Sequence, residues 1–423
     1  MSVKPESLGM CSSRLQRIDR FLAERYIDSG RLPCAQLQIA RAGQLVHHTV
    51  LGKASLQDGA PLREDSIVRI YSMSKPITSV AFMMLVEQGL VALDEPVHRY
   101  IPSWRNLGVY VGGGGGLPGT PPGWLTRPTE APMRIIDLLR HTSGLTYGFQ
   151  NRTNVDAAYR ANKLDPFARE DSLQGFVDAL AQVPLEFSPG TAWNYSVSSD
   201  VLGYLVQQIS GQPFEQYLRT RIFEPLGMAD TAFFVDAGKA ARLAQCYQNG
   251  PDGKLMVAQL GSFREPPAAP SGGGGLVSTA ADYMRFCEFL RRGGELDGQR
   301  LRQHDDAALR RVVMHLRIPA RRHDRDRLDG RQVDDRAASR RLDRRVDLLG
   351  DQPLPLQVHV DDQVPMLLGQ LVQALHGHQA SVVDQEVDRH ERGQARIASG
   401  GNRGSLAHVA LDGQRATTRC FHQ

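Results

Sequence analysis

The sequence predicts an α+β protein in which antiparallel strands accompany a large share of helices. Near the start, the strand-like runs Ala35–Ala40 and Gln44–Leu51 are separated by a short Gly-containing turn, which is typical of a β-hairpin. Before them, apolar residues recur at three- and four-residue spacing over 12–29, which indicates an amphipathic helix. The middle of the chain, roughly 95–265, shows mostly loops and helical patterns. These observations predict a hairpin and a mostly helical region in one chain.

Further helices are expected along the rest of the chain. The apolar stretch Ile77–Gly89 follows a short strand-like approach, Ile67–Tyr71, and its buried face is expected to include Val80 and Met83. Other helical patterns cover Met133–Arg140, Leu173–Gln182, Ser199–Ser210, Phe214–Ile222 and Ala280–Arg292. The glycine run Gly112–Gly116 lacks the Gly-Lys-Ser/Thr ending of a phosphate-binding loop, so we expect a flexible surface loop near a cleft there.

Composition and charge exclude several classes of protein. The chain has 423 residues, 41% hydrophobic content and a net charge of +4, which suits one large domain or two with a substantial core. No basic stripe is visible before residue 300, so we expect no nucleic-acid partner. The start lacks the pattern of a signal peptide, and no run approaches the roughly 18–20 apolar residues of a membrane span. We therefore expect a soluble cytoplasmic protein with no membrane partner.

Residue types that bind metals are not grouped in the sequence. The five cysteines are odd in number and widely spaced, which favours free thiols over a disulfide framework or a metal site. The pair His376 and His378 has no further ligand-type company in its segment. We expect neither a metal nor another cofactor.

The last part of the chain, residues 301–423, differs from the rest in composition. After Leu301 there is no lysine, tyrosine or tryptophan, and twenty arginines and nine of the thirteen histidines lie there. Such a segment buries little apolar area, so order is hard to justify. We hypothesise that it derives from a shifted reading frame of a GC-rich gene; resequencing of the gene tests this. A tail that binds nucleic acid or an acidic partner is disfavoured, because its acidic residues nearly balance the arginines.

The segment Ser72-Met73-Ser74-Lys75 joins a candidate nucleophile to a candidate proton acceptor. The serine follows the strand-like approach and opens the apolar helix, where residues three apart lie on the same face. A serine hydroxyl is a poor nucleophile at neutral pH and needs a partner such as Lys75. A helix N-terminus also favours the negative charge that develops there. The alternative is an N-cap serine followed by a surface lysine.

A second element surrounds Tyr195 in the segment Trp193-Asn194-Tyr195-Ser196-Val197. The preceding Pro-Gly pair marks a turn, so a loop would deliver the tyrosine. A tyrosine beside a lysine can have its pKa lowered and act as a general base. The alternative is an ordinary half-buried tyrosine.

Five ordered segments resemble the serine β-lactamase and penicillin-binding-protein superfamily, most closely class C β-lactamases and family VIII carboxylesterases. They are Ile70–Lys75 for the Ser-x-x-Lys motif, Asp137–Leu145 for a Leu-Leu-x-His-Thr-Ser-Gly-Leu turn, Phe187–Ser196 for the tyrosine segment, Phe223–Met228, and Gly272–Asp282. The resemblance covers roughly residues 10–300. It implies an α+β fold with an antiparallel sheet flanked by helices plus a mostly helical domain. We therefore expect a hydrolase domain at 1–300, with a helical subdomain at about 95–265, followed by the atypical tail.

The resemblance also implies a mechanism and the residues that perform it. Ser72 would attack an acyl carbonyl and form an acyl-enzyme. Lys75 and Tyr195 would take the serine proton, pass it to the leaving group and then activate water; which of the two is the acylation base stays open. The site would lie between the sheet and the helical domain. For His141, inside the matching turn, we expect a structural hydrogen-bonding role rather than that of a catalytic base.

Two departures from the family pattern bear on activity. Class C β-lactamases carry asparagine two residues after the motif tyrosine, where this chain has Val197, and the Tyr-Ser start is similar to the esterase branch. The third family motif, a Lys/His-Thr-Gly or Trp-Gly-Gly triplet on a sheet strand, is absent after Asp282. That strand supplies one oxyanion-hole N–H, and loss of one such donor costs about a hundred- to a thousandfold in turnover.

The leading hypothesis is therefore a serine hydrolase acting on small acyl esters, with a small-molecule ester or amide as its substrate. A β-lactamase, D-amino-acid peptidase or acyltransferase of the same fold is the first alternative. A catalytically impaired scaffold is the second, because the third motif is missing. We expect Tyr110–Gly116 and the segment from Thr146 to wall the cleft and discriminate among substrates.

Overall fold

A computed structural model describes residues 3–113, 123–165, 167, 170–258 and 261–301. The atypical tail, with His376 and His378, therefore lies outside the described residues apart from Leu301, and so does the second half of the glycine run at 114–116. The predicted boundary near residue 300 stays a prediction.

The described chain contains helices and antiparallel strands, and six of the helices follow one another between residues 135 and 226. The helices are α1 (Ser12–Leu22), α2 (Ser74–Glu87), α3 (Ile135–Leu139), α4 (Asn154–Ala161), α5 (Leu173–Leu180), α6 (Ser198–Ser210), α7 (Phe214–Leu218), α8 (Glu224–Leu226) and α9 (Ala280–Arg291). The strands are β1 (Cys34–Arg41), β2 (Gln44–Gly52), β3 (Val68–Arg69), β4 (Val109–Gly113), β5 (Trp124–Arg127), β6 (Tyr247–Asn249), β7 (Leu255–Val257), β8 (Val277–Ser278), β9 (Glu295–Leu296) and β10 (Gln299–Arg300). The predicted fold class is confirmed.

The predicted hairpin is the longest sheet of the described residues. Strands β1 and β2 pair antiparallel, with Cys34 opposite Gly52 and Arg41 opposite Gln44. The turn between them has positive φ at both residues, 52° at Ala42 and 77° at Gly43, as a type I′ hairpin turn requires. Helix α9 packs against β1, and the π-helical extension of α1 packs against β2. Helices thus flank the antiparallel pair.

Helix α2 forms the centre of the main core. It is apolar on all sides, and Ile77, Ala81, Phe82, Met83 and Leu85 are completely buried, which is the behaviour expected of a uniformly hydrophobic helix. Helix α6 packs directly against it, and its first nine residues are also buried. The N-terminal ends of both helices carry the polar residues of the site, so the core determines where those residues lie.

A short antiparallel β-ladder between β3 and β8 connects the segment that precedes Ser72 with the glycine-rich segment near residue 275. Val68 pairs with Ser278 and Arg69 with Val277, and the Ile70 N–H donates to the Leu276 carbonyl at 3.0 Å. Two segments about two hundred residues apart in the chain are therefore held side by side.

Two local expectations were wrong. Of the glycine run expected to be a flexible loop, Gly112 and Gly113 belong to β4 and pair with β5, whereas 114–116 lie outside the described residues. Helix α4 was not predicted; it begins at a capping box in which Thr153 and Asp156 satisfy each other's backbone N–H groups. The predicted helices α1, α2, α3, α5, α6, α7 and α9 are present, with ends shifted by a few residues.

None of the helices in the described ranges combines the length and hydrophobicity needed to cross a bilayer.

Candidate active site

Ser72 lies in a 3₁₀ turn, Tyr71–Met73, that leads directly into α2. Tyr71 has a φ of 40°, a left-handed conformation that is rare for a bulky residue and is often found at functional sites. The Tyr71 hydroxyl lies 3.3 Å from Cys246 Sγ, and its ring meets Phe167 edge-on. The unusual backbone at Tyr71 presents the half-buried Ser72 at the helix N-terminus.

The structure brings the three residues singled out from the sequence together. Ser72 Oγ lies 2.5 Å from the Tyr195 hydroxyl and 3.1 Å from Lys75 Nζ. Lys75 Nζ also donates to the Gly273 carbonyl at 2.8 Å and lies 4.4 Å from the centre of the Tyr195 ring. One hydroxyl is thus within hydrogen-bond distance of two groups that can exchange protons.

Tyr195 is delivered by a loop that packs on the turn around His141. The Asn194 N–H donates to the His141 carbonyl at 2.9 Å, and the Glu186 N–H donates to the Gly144 carbonyl at 2.7 Å. A Cβ at Gly144, where φ is 84°, would lie 2.3 Å from the Phe187 carbonyl oxygen, so only glycine permits this approach. The turn and the tyrosine segment, two of the resembling segments, therefore form one unit.

His141 is buried behind Tyr195. Its Nδ1 lies 3.3 Å from the Ser196 backbone nitrogen, whose N–H donates to it, and 3.2 Å from Ser196 Oγ. Accepting an N–H requires Nδ1 to be unprotonated, so the ring is neutral here. Burial, with a contribution from the Lys75 charge, lowers the pKa of His141 to about 3.

The low pKa of His141 predicts a pH-dependent stability. Above pH 6.5 the ring is neutral in both states, whereas between pH 6.5 and about 3 only the unfolded chain takes up the proton. Stability should therefore fall as the pH is lowered, by about 2 kcal/mol at pH 5. His141→Asn keeps a hydrogen-bond acceptor and tolerates the left-handed backbone of this position, where φ is 57°. Chemical denaturation at pH 7 and at pH 5 should therefore show that the substitution removes most of this loss. The same substitution at half-buried His98 is the control; an equal pH dependence in wild type and His141→Asn would contradict the assignment.

Two contacts of the site were missed in the sequence. The Gly273 carbonyl binds Lys75 through its backbone, so only its place in a resembling segment marked it. Asp200 is completely buried at the start of α6, and the available signal was an acidic residue on an otherwise apolar helix face.

Val197, which replaces the family asparagine, is also completely buried. Its side chain therefore packs in the core.

Side chains of metal-ligating types are scattered over the described ranges. No three His, Cys, Asp or Glu side chains there are close enough together to hold a metal ion. No disulfide bond links the four described cysteines.

The fold and the serine–lysine–tyrosine cluster define the class of serine enzymes with a β-lactamase-like fold. The chain belongs to the Beta-lactamase family, whose model matches residues 18–338. Esterase EstB of Burkholderia gladioli is 32% identical over 300 residues, which cover 66% of this chain and 70% of the esterase. An uncharacterised Mycobacterium tuberculosis protein is 34% identical over 286 residues, covering 67% of this chain and 69% of its own. The predicted superfamily is confirmed.

A solved structure shows the same fold. It is EstCE1, described as a hydrolase with promiscuous acyltransferase activity, with a TM-score of 0.57 and 25% identity. The match covers 67% of this chain and 74% of that one. The proteins similar to this chain thus include a named esterase and a hydrolase described as having acyltransferase activity.

Proposed function

We propose that this protein is a serine hydrolase that cleaves small acyl esters through an acyl-enzyme on Ser72. The observation that carries the proposal is the position of Ser72 Oγ, 2.5 Å from the Tyr195 hydroxyl and 3.1 Å from Lys75 Nζ. A serine becomes nucleophilic when an adjacent group takes its proton, and here two such groups are within reach. The activity is assigned to residues 1–300.

Acylation begins when the Tyr195–Lys75 pair takes the proton of Ser72 and Oγ attacks the ester carbonyl carbon. The carbonyl oxygen becomes an oxyanion. As in relatives with this motif, we assign one stabilising donor to the backbone N–H of Ser72 at the positive end of α2. When the carbon–oxygen bond of the ester breaks, the same pair returns the proton to the alcohol. The products are a free alcohol and an acyl group on Ser72.

Deacylation uses the same groups, but the Tyr195–Lys75 pair now takes its proton from water and returns it to Ser72. Water enters the place of the alcohol, gives a proton to the Tyr195–Lys75 pair and attacks the acyl carbon. The proton returns to Ser72 Oγ as the acid leaves. An alcohol in the place of water would give acyl transfer. The promiscuous acyltransferase activity named for the EstCE1 structure makes this the second candidate.

The residue two positions after Tyr195, which is Val197, favours esters over β-lactams as substrates. The buried Val197 offers no amide to a lactam side chain, and the relative from Burkholderia gladioli is named an esterase.

Wild-type protein is expected to hydrolyse p-nitrophenyl acetate and butyrate and not to hydrolyse a chromogenic cephalosporin. It should also be labelled covalently by a fluorophosphonate, which reports an activated serine independently of the substrate. Release of p-nitrophenol measures ester hydrolysis. Mass spectrometry of the intact protein detects the covalent adduct, and a peptide map shows which residue carries it. Folded protein that neither hydrolyses the esters nor takes the label would support the impaired scaffold instead. Cephalosporin turnover exceeding ester turnover would support a β-lactamase.

A further inference from the structure

A carboxylate with no role in the proposed chemistry is buried next to the site. Asp200 lies in the first turn of α6 and has 0% of its surface exposed. Burial raises its pKa, while the hydrogen bond from Ser271 and the charge of Lys75 oppose that rise. A buried carboxylate is costly unless it is paired and hydrogen-bonded, so its partners indicate what it is for.

The partners of Asp200 all belong to the wall around Lys75. Ser271 Oγ donates to Asp200 Oδ1 at 2.5 Å, and the Gly273 N–H donates to the same oxygen at 2.9 Å. The Tyr147 hydroxyl donates to Oδ2 at 3.4 Å. Lys75 Nζ in turn donates to the Gly273 carbonyl and lies 5.4 Å from the centre of the Tyr147 ring. One residue, Gly273, therefore binds Asp200 with its N–H and Lys75 with its carbonyl.

The same glycine-rich segment is tied to α2 on its other side. Thr78 Oγ1 donates to the Gly272 carbonyl at 2.8 Å, and the Leu276 N–H donates to Ser74 Oγ at 3.2 Å. The segment thus bridges the N-terminal ends of α2 and α6, and Asp200 is its anchor on α6. Side chains larger than hydrogen are excluded at Gly273, where a Cβ would lie 2.5 Å from Asp200 Oδ2.

We propose that Asp200 is a positioning residue that holds Gly273, and through its carbonyl the Lys75 ammonium, beside Ser72. This proposal rests on the proposed function, in which Ser72 and Lys75 are the reacting pair. The carboxylate also places a negative charge near Lys75, so it favours the protonated ammonium that forms when the lysine takes up a proton.

Several ionisable groups face Lys75, and they determine what a pH experiment reports. They are Tyr147 and Tyr195, whose rings its ammonium approaches, His141 and Asp200. Asp165 lies close enough to Asp200 to raise the pKa of that carboxyl. His141 stays neutral down to about pH 3, so it adds no charge beside Lys75 above that pH. The two tyrosines are the same in wild type and Asp200→Asn, so a difference in Lys75 titration between these two proteins reports the charge of Asp200.

The test compares Asp200→Asn, Asp200→Ala and Asp282→Asn in the full-length protein. Asp282 is a matched control, because it is also buried at a helix N-terminus and accepts an N–H from Asp230 and a hydroxyl from Thr231. We expect Asp200→Ala to lower kcat for p-nitrophenyl butyrate at least about tenfold with little change in KM. Asp200→Asn keeps an acceptor for Ser271 and should recover part of the loss.

The pH at which Lys75 titrates is the readout that a merely structural role would not move. The chain has six lysines, so ¹³C-methylated lysine signals can be resolved by NMR, with Lys75 assigned from Lys75→Arg. Asp200→Asn should lower the titration midpoint of Lys75 by about one pH unit, and the pH profile of kcat should move in the same direction. Asp282→Asn should leave both midpoints unchanged.

The outcomes separate this proposal from the proposed function. A folded Asp200→Asn protein whose Lys75 midpoint and kcat both match those of Asp282→Asn overturns the proposal. Asp200→Asn preserves the shape of the side chain, so it remains informative if Asp200→Ala fails to fold. A wild type that hydrolyses no ester counts against the proposed function alone, because the NMR midpoint still reports the effect of Asp200 on Lys75.

Discussion

Replacing Ser72 with alanine should abolish ester hydrolysis while leaving the fold intact. The change removes the only oxygen of the side chain that would form the acyl bond, and loss of a serine nucleophile lowers turnover by orders of magnitude. We expect kcat for p-nitrophenyl butyrate to fall at least about ten-thousandfold. Fluorophosphonate labelling should disappear as well. Because Ser72 is half-buried and precedes the buried part of α2, the melting temperature should change little.

Ser29→Ala is a suitable control for this variant, since Ser29 is exposed and its hydroxyl bonds only the local Arg25 carbonyl among the contacts of the described chain. It should retain wild-type hydrolysis and labelling. Residual ester cleavage by Ser72→Ala comparable to wild type would show that the hydrolysis arises elsewhere in the chain and would refute the acyl-enzyme on Ser72.

The second large effect is expected from Tyr195→Phe. The phenylalanine keeps the ring on which the Lys75 ammonium lies, 4.4 Å from its centre, and removes only the hydroxyl next to Ser72. Loss of a general acid–base group lowers kcat by about a hundred- to ten-thousandfold. KM should change far less, because the ring still fills the same space. Steady-state kinetics from pH 5 to 10 would measure both parameters and the surviving ionisations.

Tyr204→Phe is the matched control, because Tyr204 is equally buried but its hydroxyl donates to Gln174 on α5. Its activity should match that of wild type. If Tyr195→Phe also kept full activity, Lys75 alone would be the base and the tyrosine would serve only to pack the site. A fall in the melting temperature without loss of kcat would lead to the same conclusion.

The missing third motif limits how much activity to expect. Among the described residues, the sheet next to α9 consists of β1 and β2. A low but Ser72-dependent rate would fit an incomplete oxyanion hole. The shifted-frame hypothesis for the tail stays a prediction that resequencing of the gene can decide.

Secondary structure was predictable where the local signal was strong. Helix α2 has an unbroken apolar run over 80–86, so its existence and burial followed from composition. Helix α4 was missed because it has only two large apolar residues, Val155 and Tyr159, so its apolar periodicity is weak. Strand β4 was missed because glycine favours loops locally, whereas pairing with β5 made it a strand.

The sequence by itself determined the family, the order of the motifs and the chemical identity of Ser72, Lys75 and Tyr195. These depend on residue type and on spacing along one or two turns of chain, which local physics controls. Only the tertiary structure decided that the Gly273 carbonyl receives the lysine and that Asp200 holds Gly273. Those contacts join residues up to about two hundred positions apart in the chain. A backbone carbonyl also carries no side-chain signature, so packing of the core around α2 and α6 was needed to bring them together.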